Sequence, residues 1–177
     1  MRSSGGGPLS HVLVREARAE EFDRIGELIV GAYDSIAGSV TDPEYNETLR
    51  RVHERADAVP VLVAVGPTGD VIGSLTYVPG PGPFAELARP GEAEIRMFAV
   101  APDARGAGVG GALLDAAINR AIETKRRAIV LSTSSWMSAA QRLYRTRGFE
   151  RDVALDRFDD SSGTRFELFA YRFAFGG

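Results

Sequence analysis

Residues 94–114, EIRMFAVAPDARGAGVGGALL, decide the fold of this chain. The first seven residues are predicted to form a strand. The second half of this strand, Met97 to Val100, is apolar on both faces, which is typical of a strand covered on two sides. Pro102 then ends the strand, and the glycine-rich run from Arg105 leads directly into residues that favour a helix. The stretch therefore predicts a buried strand that turns through a glycine-rich corner into a helix.

The glycine corner, residues 105–111, has the composition of an anion-binding turn. Several backbone N–H groups can point toward one site there because glycines place no Cβ atoms in the way. That site lies at a helix N-terminus, where free N–H groups and the helix dipole favour a negative charge. We therefore expect a phosphate or pyrophosphate group to bind at this corner.

The spacing Arg105-x-x-Gly108-x-Gly110, five residues after a strand that ends at Val100, resembles the acyl-CoA-binding signature of the GNAT superfamily of N-acetyltransferases. The resemblance implies that backbone groups of the strand pair with the pantetheine arm and that the corner N–H groups hold the pyrophosphate. Arg105 is either a solvated loop residue or a direct phosphate ligand, for which its planar donors are suited. The expected acyl-CoA-binding residues are Phe98, Ala99, Val100, Arg105, Gly106, Ala107, Gly108, Val109, Gly110 and Gly111.

Two other interpretations of the corner stay open, a dinucleotide site and a purely structural turn. Residues 106–111 also satisfy G-x-G-x-x-G. A dinucleotide-binding corner places its first glycine directly after the strand and an acid at the end of the next strand. Here residues 101–105 intervene, and the next strand leads into the serine-rich residues 132–135. The spacing thus favours acyl-CoA over a dinucleotide.

Length and composition favour one globular domain. The chain has 177 residues, of which 44% are hydrophobic, and we expect a disordered lead-in at residues 1–10 and a single domain at residues 11–177. A formal net charge of −3 argues against nucleic acid or a membrane surface as a partner. There is no cysteine, which excludes a thiol-linked acyl-enzyme and thiolate metal sites.

The sequence favours a cytoplasmic location. No apolar run approaches the length of a transmembrane helix, and the N-terminal residues lack the apolar centre of a signal peptide. His11 and His53 are far apart and have no acid cluster at ligand spacing, so no metal site is expected. The oligomeric state is left open, with a homodimer as one option.

Periodicity and turn signals predict the order strand, helix, helix, three strands, helix, strand, helix, two strands. The strands are expected at residues 11–15, 59–65, 71–78, 94–100, 128–131, 150–158 and 165–173, and the helices at 20–33, 43–55, 108–125 and 138–147. This order predicts an α/β (α+β) fold with a mixed sheet, antiparallel at both ends. The strands at 94–100 and 128–131 are expected to be parallel because a crossover helix separates them. The order is similar to that of the GNAT fold.

Tyr144 lies in residues 143–149, LYRTRGF, which resemble the closing L-Y-x-x-x-G-F motif of the family. The resemblance implies that its hydroxyl returns a proton to the thiolate of CoA. From spacing alone, a tyrosine on an apolar helical face is usually a core residue.

Glu94 begins the central strand and matches a position that serves as general base in some family members. Glu92, two residues earlier, lies on the same strand face and is the alternate base. The reaction needs a base because an ammonium group has no lone pair with which to attack a thioester, and a positioned carboxylate contributes on the order of 10²–10⁴ in rate. A solvated acid at a strand end is the other interpretation of Glu94.

One position departs from the family pattern. Where many members have asparagine seven residues before the tyrosine, this chain has Met137. A serine close by, Ser134 or Ser135, could supply the missing polar contact to the pantetheine arm. Trp136 is expected to be packed or to line the cleft.

The sequence predicts an N-acetyltransferase that moves an acetyl group from acetyl-CoA to a primary amine by direct attack, with backbone N–H groups of residues 98–100 stabilising the oxyanion. A non-catalytic acyl-CoA-binding module of the same fold is the alternative. The resemblance implies an acceptor cleft formed by residues 33–55, for which Tyr33, Asp34 and Tyr45 are the candidate lining residues. The acceptor, a small molecule or a peptide, is not determined by the sequence.

Overall fold

The structure is a computed structural model that describes residues 12–39, 42–160 and 162–176. The predicted lead-in at residues 1–10 and His11 lie outside these ranges, so disorder there stays a prediction. Within the described ranges the strands are β1 (Leu13–Glu16), β2 (Val61–Val65), β3 (Val71–Val78), β4 (Glu92–Val100), β5 (Ala128–Ser134), β6 (Glu150–Arg151), β7 (Arg157–Asp159) and β8 (Phe166–Ala174), and the helices are α1 (Phe22–Asp34), α2 (Pro43–Arg50), α3 (Val52–Ala56), α4 (Val109–Glu123) and α5 (Ser138–Thr146).

The strands form one mixed sheet in the order β1-β2-β3-β4-β5-β8-β6, and β7 pairs with β8. β4 and β5 are parallel, in register from Glu92 with Ala128 to Ile95 with Leu131. The other pairs are antiparallel. The predicted α/β class, with a sheet that is antiparallel at both ends and parallel in the middle, is confirmed.

Helices cover both faces of the sheet and bury one apolar cluster on each side. The cluster on the α4 face includes Ile95 and Leu113, and the cluster on the α1 face includes Ile29 and Met97. Burial on two sides explains why β2, β3 and β4 have apolar residues on both faces. The central strands are therefore the rigid part of the molecule on which the site is built.

β4 contains a β-bulge near its centre. Between the pairs Ser74–Ala99 and Thr76–Arg96, two residues of β4 stand opposite one residue of β3, and Met97 has a φ of +50°. Side chains alternate along a strand, so one extra residue moves those that follow to the opposite face. Met97 and Ala99 consequently pack on the α1 side of the sheet.

The second predicted helix was wrong in its length, because it is two helices. Arg51 leaves the helical conformation with a ψ of +56° and separates α2 from α3. The break lets Leu49 and Val52 both be fully buried. The break comes directly after a close contact between α1 and α2, since a Cβ added to Gly26 of α1 would lie 2.9 Å from the Cα of Arg50.

The strand predicted at residues 150–158 was also wrong as a single element. It is divided into β6 and β7 by a turn at Val153–Leu155, and both pieces pair with β8. The N–H of Asp152 donates to the carbonyl of Ala170 (2.9 Å), and the Asp156 carboxylate accepts from the N–H of Ala170 (2.8 Å). The two hydrogen bonds to Ala170 of β8 thus lie on either side of the turn, where the chain leaves the sheet and where it returns.

Candidate active site

A cavity of about 170 Å³ opens where the two parallel strands separate. The β4–β5 pairing stops at Ile95 and Leu131, whereas β5 continues to pair with β8 as far as Ser134. The edge of β4 that faces β5 therefore has no strand partner from Arg96 to Val100. The cavity brings together five residues that the sequence predicted for the site, Tyr33, Asp34, Tyr45, Phe98 and Tyr144.

The glycine corner lies next to this free edge. After β4 the chain makes a short helical turn at Pro102–Ala104 and then passes through Gly106 and Gly108, with φ values of +79° and +84°. These are left-handed conformations, which glycine adopts without steric cost. Gly108 is the N-cap of α4 and has no side chain with which to cap it, so N–H groups of the first turn remain available to a ligand.

The first turn of α4 packs directly against α5. A Cβ added to Gly110 would lie 2.7 Å from Cδ2 of Leu143, and one added to Gly111 would lie 2.1 Å from Nη2 of Arg147. A side chain at either position would require the Leu143 or Arg147 side chain to move. The side chain of Val109 is buried in the core, so it can reach a ligand only through its backbone.

Arg105 does not extend over the corner in this structure. Its Nη2 donates to the carbonyl oxygen of Ala32 (3.0 Å) and to the hydroxyl of Ser35 (2.9 Å), at the C-terminal end of α1. A cation at a helix C-terminus is also favoured by the helix dipole. Arg105 thus ties the loop before the corner to α1, and its role as a phosphate ligand stays a prediction.

Tyr144 is buried beside the cavity and surrounded by aromatic rings. Its ring centroid lies 6.1 Å from that of Phe98, 6.1 Å from that of Phe149 and 5.7 Å from that of Tyr171. Burial, with a smaller contribution from Tyr171, raises the pKa of the Tyr144 hydroxyl well above its usual range. Among the described residues the hydroxyl has no hydrogen-bond partner, and it is held in its neutral form, which can donate a proton.

Glu94 is almost fully buried, and its carboxylate holds a loop. Oε2 accepts hydrogen bonds from the N–H groups of Glu86 (2.9 Å), Leu87 (2.8 Å) and Ala88 (3.0 Å). Glu94 is not one of the residues that line the cavity, although its neighbours Ile95 and Arg96 are. The geometry gives Glu94 a structural task, the anchoring of residues 86–88 to the central strand.

Glu92 is held by two arginines at the other end of the parallel pair. Its Oε1 lies 2.7 Å from Nη1 of Arg172 and 3.1 Å from Nη2 of Arg127, and Oε2 accepts from the N–H of Arg89 (3.1 Å). Burial raises the pKa of the Glu92 carboxyl, but the hydrogen bonds and the two positive charges outweigh it and lower that pKa overall. An ionised, doubly paired carboxylate is poorly suited to take up a proton.

Among the charged lining residues that the sequence analysis missed, Glu86, Arg96 and Arg157 form one ion-pair cluster. Arg96 donates to the carbonyl of Phe84 (3.0 Å) and to Oε1 of Glu86 (2.6 Å), and Arg157 donates to Oε2 of Glu86. One carboxylate therefore neutralises two guanidinium groups. These residues come from a loop, β4 and β7, so no local pattern in the sequence could have revealed the cluster.

Residues just before α5, including Met137, form part of the cavity wall. Met137 lines the cavity, and its Sδ accepts a hydrogen bond from Oγ1 of Thr133 (3.4 Å). Trp136 also lines the cavity and packs edge-on against Phe166, with the ring centroids 4.9 Å apart. Of the serines considered as substitutes for the missing asparagine, Ser134 reaches the cavity wall.

The sequence matches the model of the acetyltransferase (GNAT) family over residues 22–149. The chain belongs to the GNAT family of acetyltransferases. GNAT acetyltransferases use acetyl-CoA as co-substrate and act on amine acceptors. The membership therefore confirms the predicted family, whereas the roles of single residues stay predictions. A search of curated protein sequences found no match.

Solved GNAT structures have the same fold as this chain. The ribosomal-protein-alanine N-acetyltransferase of Brucella melitensis has a TM-score of 0.68 and 24% identity, and the match covers 92% of this chain and 99% of that one. A GNAT acetyltransferase of Staphylococcus aureus Mu50 has a TM-score of 0.72 and 16% identity, with 93% and 99% covered. The yncA protein of Salmonella typhimurium, solved with its cofactor acetyl-CoA, has a TM-score of 0.69 and 21% identity, with 95% and 96% covered.

The residues present fit an acyl-CoA ligand. Left-handed glycines, an N-terminal helical turn without a side-chain cap and an unpaired strand edge lie in succession from β4 to α4. Within the described residues, no three His, Asp or Glu side chains are close enough together to hold a metal ion. No helix in that part of the chain is long and apolar enough to cross a membrane.

Proposed function

We propose that this GNAT protein transfers an acetyl group from acetyl-CoA to a primary amine by direct attack of the amine on the thioester. The observation that carries the proposal is the position of Tyr144. Tyr144 lines the cavity beside Phe98 on the free edge of β4, and its neutral hydroxyl has no partner among the described residues. A general acid is needed at that place, where the sulfur of the thioester would leave.

The backbone from Phe98 to Gly111 supplies the binding groups in this proposal. The unpaired edge of β4 offers N–H and C=O groups to the amides of the pantetheine arm, as an added strand would. The corner and the first turn of α4 offer N–H groups to the pyrophosphate. Acetyl-CoA supplies an activated thioester, whose carbonyl oxygen the N–H groups of residues 98–100 can stabilise as charge develops on it.

Glu94 is the proposed general base, and it acts through a water molecule because its carboxylate lies behind the cavity wall. The same carboxylate anchors the loop that carries Glu86, so Glu94 has a positioning role as well. Glu92, the alternate, is the weaker candidate since Arg172 and Arg127 hold it in its ionised form. Tyr33, Asp34 and Tyr45 are the proposed contacts of the amine acceptor, because all three line the cavity.

The second candidate function is a module that binds acyl-CoA without transfer. The hydrogen bonds that occupy Glu94 and the ion pairs that occupy Glu92 favour it, since they leave no free carboxylate of β4 in the cavity. The test is release of free CoA, measured by thiol detection with acetyl-CoA and a panel of primary amines and peptides. Release above the hydrolysis background supports transfer. Binding of acetyl-CoA without release by any amine would favour the module.

A further inference from the structure

The residues that line the cavity carry more negative than positive charge. The charged lining residues are four acids and two arginines, namely Asp34, Asp42, Glu86 and Asp159 with Arg96 and Arg157. Glu86 pairs with both arginines, so the positive charge of the lining belongs to one cluster on β4, β7 and the loop before β4. The excess negative charge therefore lies with the aspartates.

Asp34 and Asp42 have carboxylate oxygens that the fold does not use. Asp34 is the last residue of α1 and has no hydrogen bond or ion pair among the described residues. Asp42 caps α2, since its Oδ1 accepts from the N–H of Glu44 (3.0 Å), and its Oδ2 has no partner in the same part of the chain. An ionised carboxylate has acceptor sites on both oxygens, so both aspartates can bind a cation in the cavity.

Two further guanidinium groups lie near these aspartates but do not line the cavity. Arg55 is fully buried, and its Nη1 donates to the carbonyl oxygen of Leu49 (3.1 Å). Arg105 donates to the carbonyl oxygen of Ala32 (3.0 Å) at the C-terminal end of α1, where the helix dipole is negative. Neither forms an ion pair within the described residues. Even with Arg55 included, the acids outnumber the arginines.

Aromatic rings favour a cation at the same place. Tyr33 precedes Asp34 in α1, Tyr45 follows Asp42 by three residues, and both tyrosines line the cavity. The face of an aromatic ring attracts a cation, most strongly where water is excluded. Independently of these charges, Tyr144 marks the cavity as a ligand site, because it is 4% exposed and its hydroxyl has no partner among the described residues. The acidic wall of the cavity consists of Tyr33, Asp34, Asp42 and Tyr45.

The amine that reacts cannot remain the counter-ion of this wall. It must lose its proton before it attacks the thioester, because an ammonium group has no lone pair. In the product it is an uncharged amide. A wall that selects a cation therefore needs a second cationic group on the acceptor, one that keeps its charge throughout the reaction.

We propose that the acceptor carries a second cationic group, an ammonium or a guanidinium, which binds at the acidic wall while the reacting amine faces the gap between β4 and β5. The proposal rests on the proposed function and names its substrate class. The acceptor is then a diamine, or an amine with a guanidinium group, rather than a monoamine. The second group takes no part in the bond changes and serves to bind and orient the acceptor.

The test compares acceptors of equal length that differ in the distal group. One set is 1,4-diaminobutane, 4-aminobutan-1-ol and n-pentylamine, another is 1,6-diaminohexane and n-heptylamine, and agmatine supplies a guanidinium. We expect kcat/KM at saturating acetyl-CoA, per reacting amine, to be about 10–100-fold higher for at least one dicationic acceptor than for its uncharged counterpart, the range typical of hydrogen bonds to a charged group. The advantage should shrink as salt is raised. Distal methyl or hydroxyl groups that serve as well in every set would overturn the proposal.

Substitution of the two aspartates assigns the selectivity to the acidic wall. Asp34→Asn and Asp42→Asn each remove one charge and keep the shape of the side chain, and asparagine can still cap α2. Each should lower the ratio between the dicationic and uncharged acceptors, and the double variant should bring it near one. Asp23→Asn is the matched control, since Asp23 is an exposed aspartate in the first turn of the same helix. An unchanged ratio in the folded double variant would contradict the assignment.

Failure of the proposed function is distinguished by a binding measurement. If no amine releases CoA, the same acceptors are compared by thermal shift in the presence of CoA. Stabilisation by the dicationic acceptors that is lost in the double variant would still support the cation site. Stabilisation by none of them, by the uncharged acceptors equally, or to the same extent in the double variant would overturn it.

Discussion

The cavity has two sides that are built in different ways. The donor side, residues 98–111, is one continuous segment whose proposed binding groups are backbone atoms. The acceptor side consists of side chains from separate segments of the chain, among them Tyr33, Asp34, Tyr45, Glu86 and Arg157. A local sequence motif can specify the first kind of site but not the second. This difference explains why the acyl donor can be predicted from the sequence more readily than the acceptor.

The two sides are joined by a few polar contacts. Arg105 of the donor side donates to Ala32 and Ser35 at the end of α1. Glu94 of the central strand holds residues 86–88 of the acceptor side through three N–H groups. A change at either residue is therefore expected to affect both sides, whereas a change within one side should affect that side alone.

The largest effect is expected at the point where the two sides meet. Tyr144→Phe should lower kcat about 100-fold with little change in stability, because the hydroxyl that is lost has no partner among the described residues. Since burial raises the pKa of this hydroxyl, its ionisation should not limit the wild-type rate below about pH 10. Tyr77→Phe is the control for loss of a tyrosine hydroxyl outside the cavity, since Tyr77 packs beneath α4 and its hydroxyl lies 3.5 Å from that of Thr124. An unchanged kcat across the pH range would remove Tyr144 from the mechanism.

A substitution in the donor side should affect acetyl-CoA and spare the acceptor. Gly108→Val, at a φ of +84°, should raise the KM for acetyl-CoA about 30-fold, because the corner can no longer keep its left-handed turn. Gly69→Val is the matched control, since Gly69 has a φ of +88° in the turn between β2 and β3 and an added Cβ there is equally unobstructed. Both variants should lose similar stability, about 1–2 kcal/mol. Equal KM values for acetyl-CoA in the two would refute a specific role for the corner.

Glu94 can be tested separately as a base and as a loop anchor. Glu94→Gln keeps an oxygen that can accept from residues 86–88 but removes the basic carboxylate, and it should lower kcat about 10-fold with KM unchanged. Glu94→Ala removes both functions. It should in addition raise the KM for the amine and reduce the free energy of unfolding by about 2–4 kcal/mol. If the glutamine variant has the wild-type kcat and pH profile, Glu94 is only an anchor.

The smallest kinetic effect is expected at a residue outside both sides. The carboxylate of Glu21 binds Arg15 (2.6 Å), which with the N–H of Arg18 lowers the pKa of Glu21 to about 2. A depressed native-state pKa stabilises the protein above the unfolded-state pKa, and this stability is lost as pH falls. Glu21→Gln should thus cost about 1–3 kcal/mol at pH 7, and the difference should shrink from about pH 4.5 toward pH 2. Denaturant unfolding of the wild-type and Glu21→Gln proteins at several pH values measures this difference in stability, and kcat should not change.

The order of helices and strands could be predicted because hydrophobic periodicity is a local property. The glycine corner could be predicted because left-handed turns favour glycines, as at Gly106 and Gly108. The bulge in β4 could not be predicted, because the residue with the positive φ there is Met97 and not a glycine. Arg96 could not be assigned to the site either, because the residues that it contacts, Phe84 and Glu86, are brought to it only by the fold.

Acyl-CoA binding is tested most directly by a thermal shift of the wild-type protein with acetyl-CoA and NAD in parallel. A ligand at 100 times its Kd adds about 2.7 kcal/mol of stability, which raises the Tm of a domain of this size by about 5–10 °C. We expect that rise with acetyl-CoA and none with NAD. No rise with acetyl-CoA, or an equal rise with NAD, would contradict the assignment of the glycine corner and of the cavity beside it.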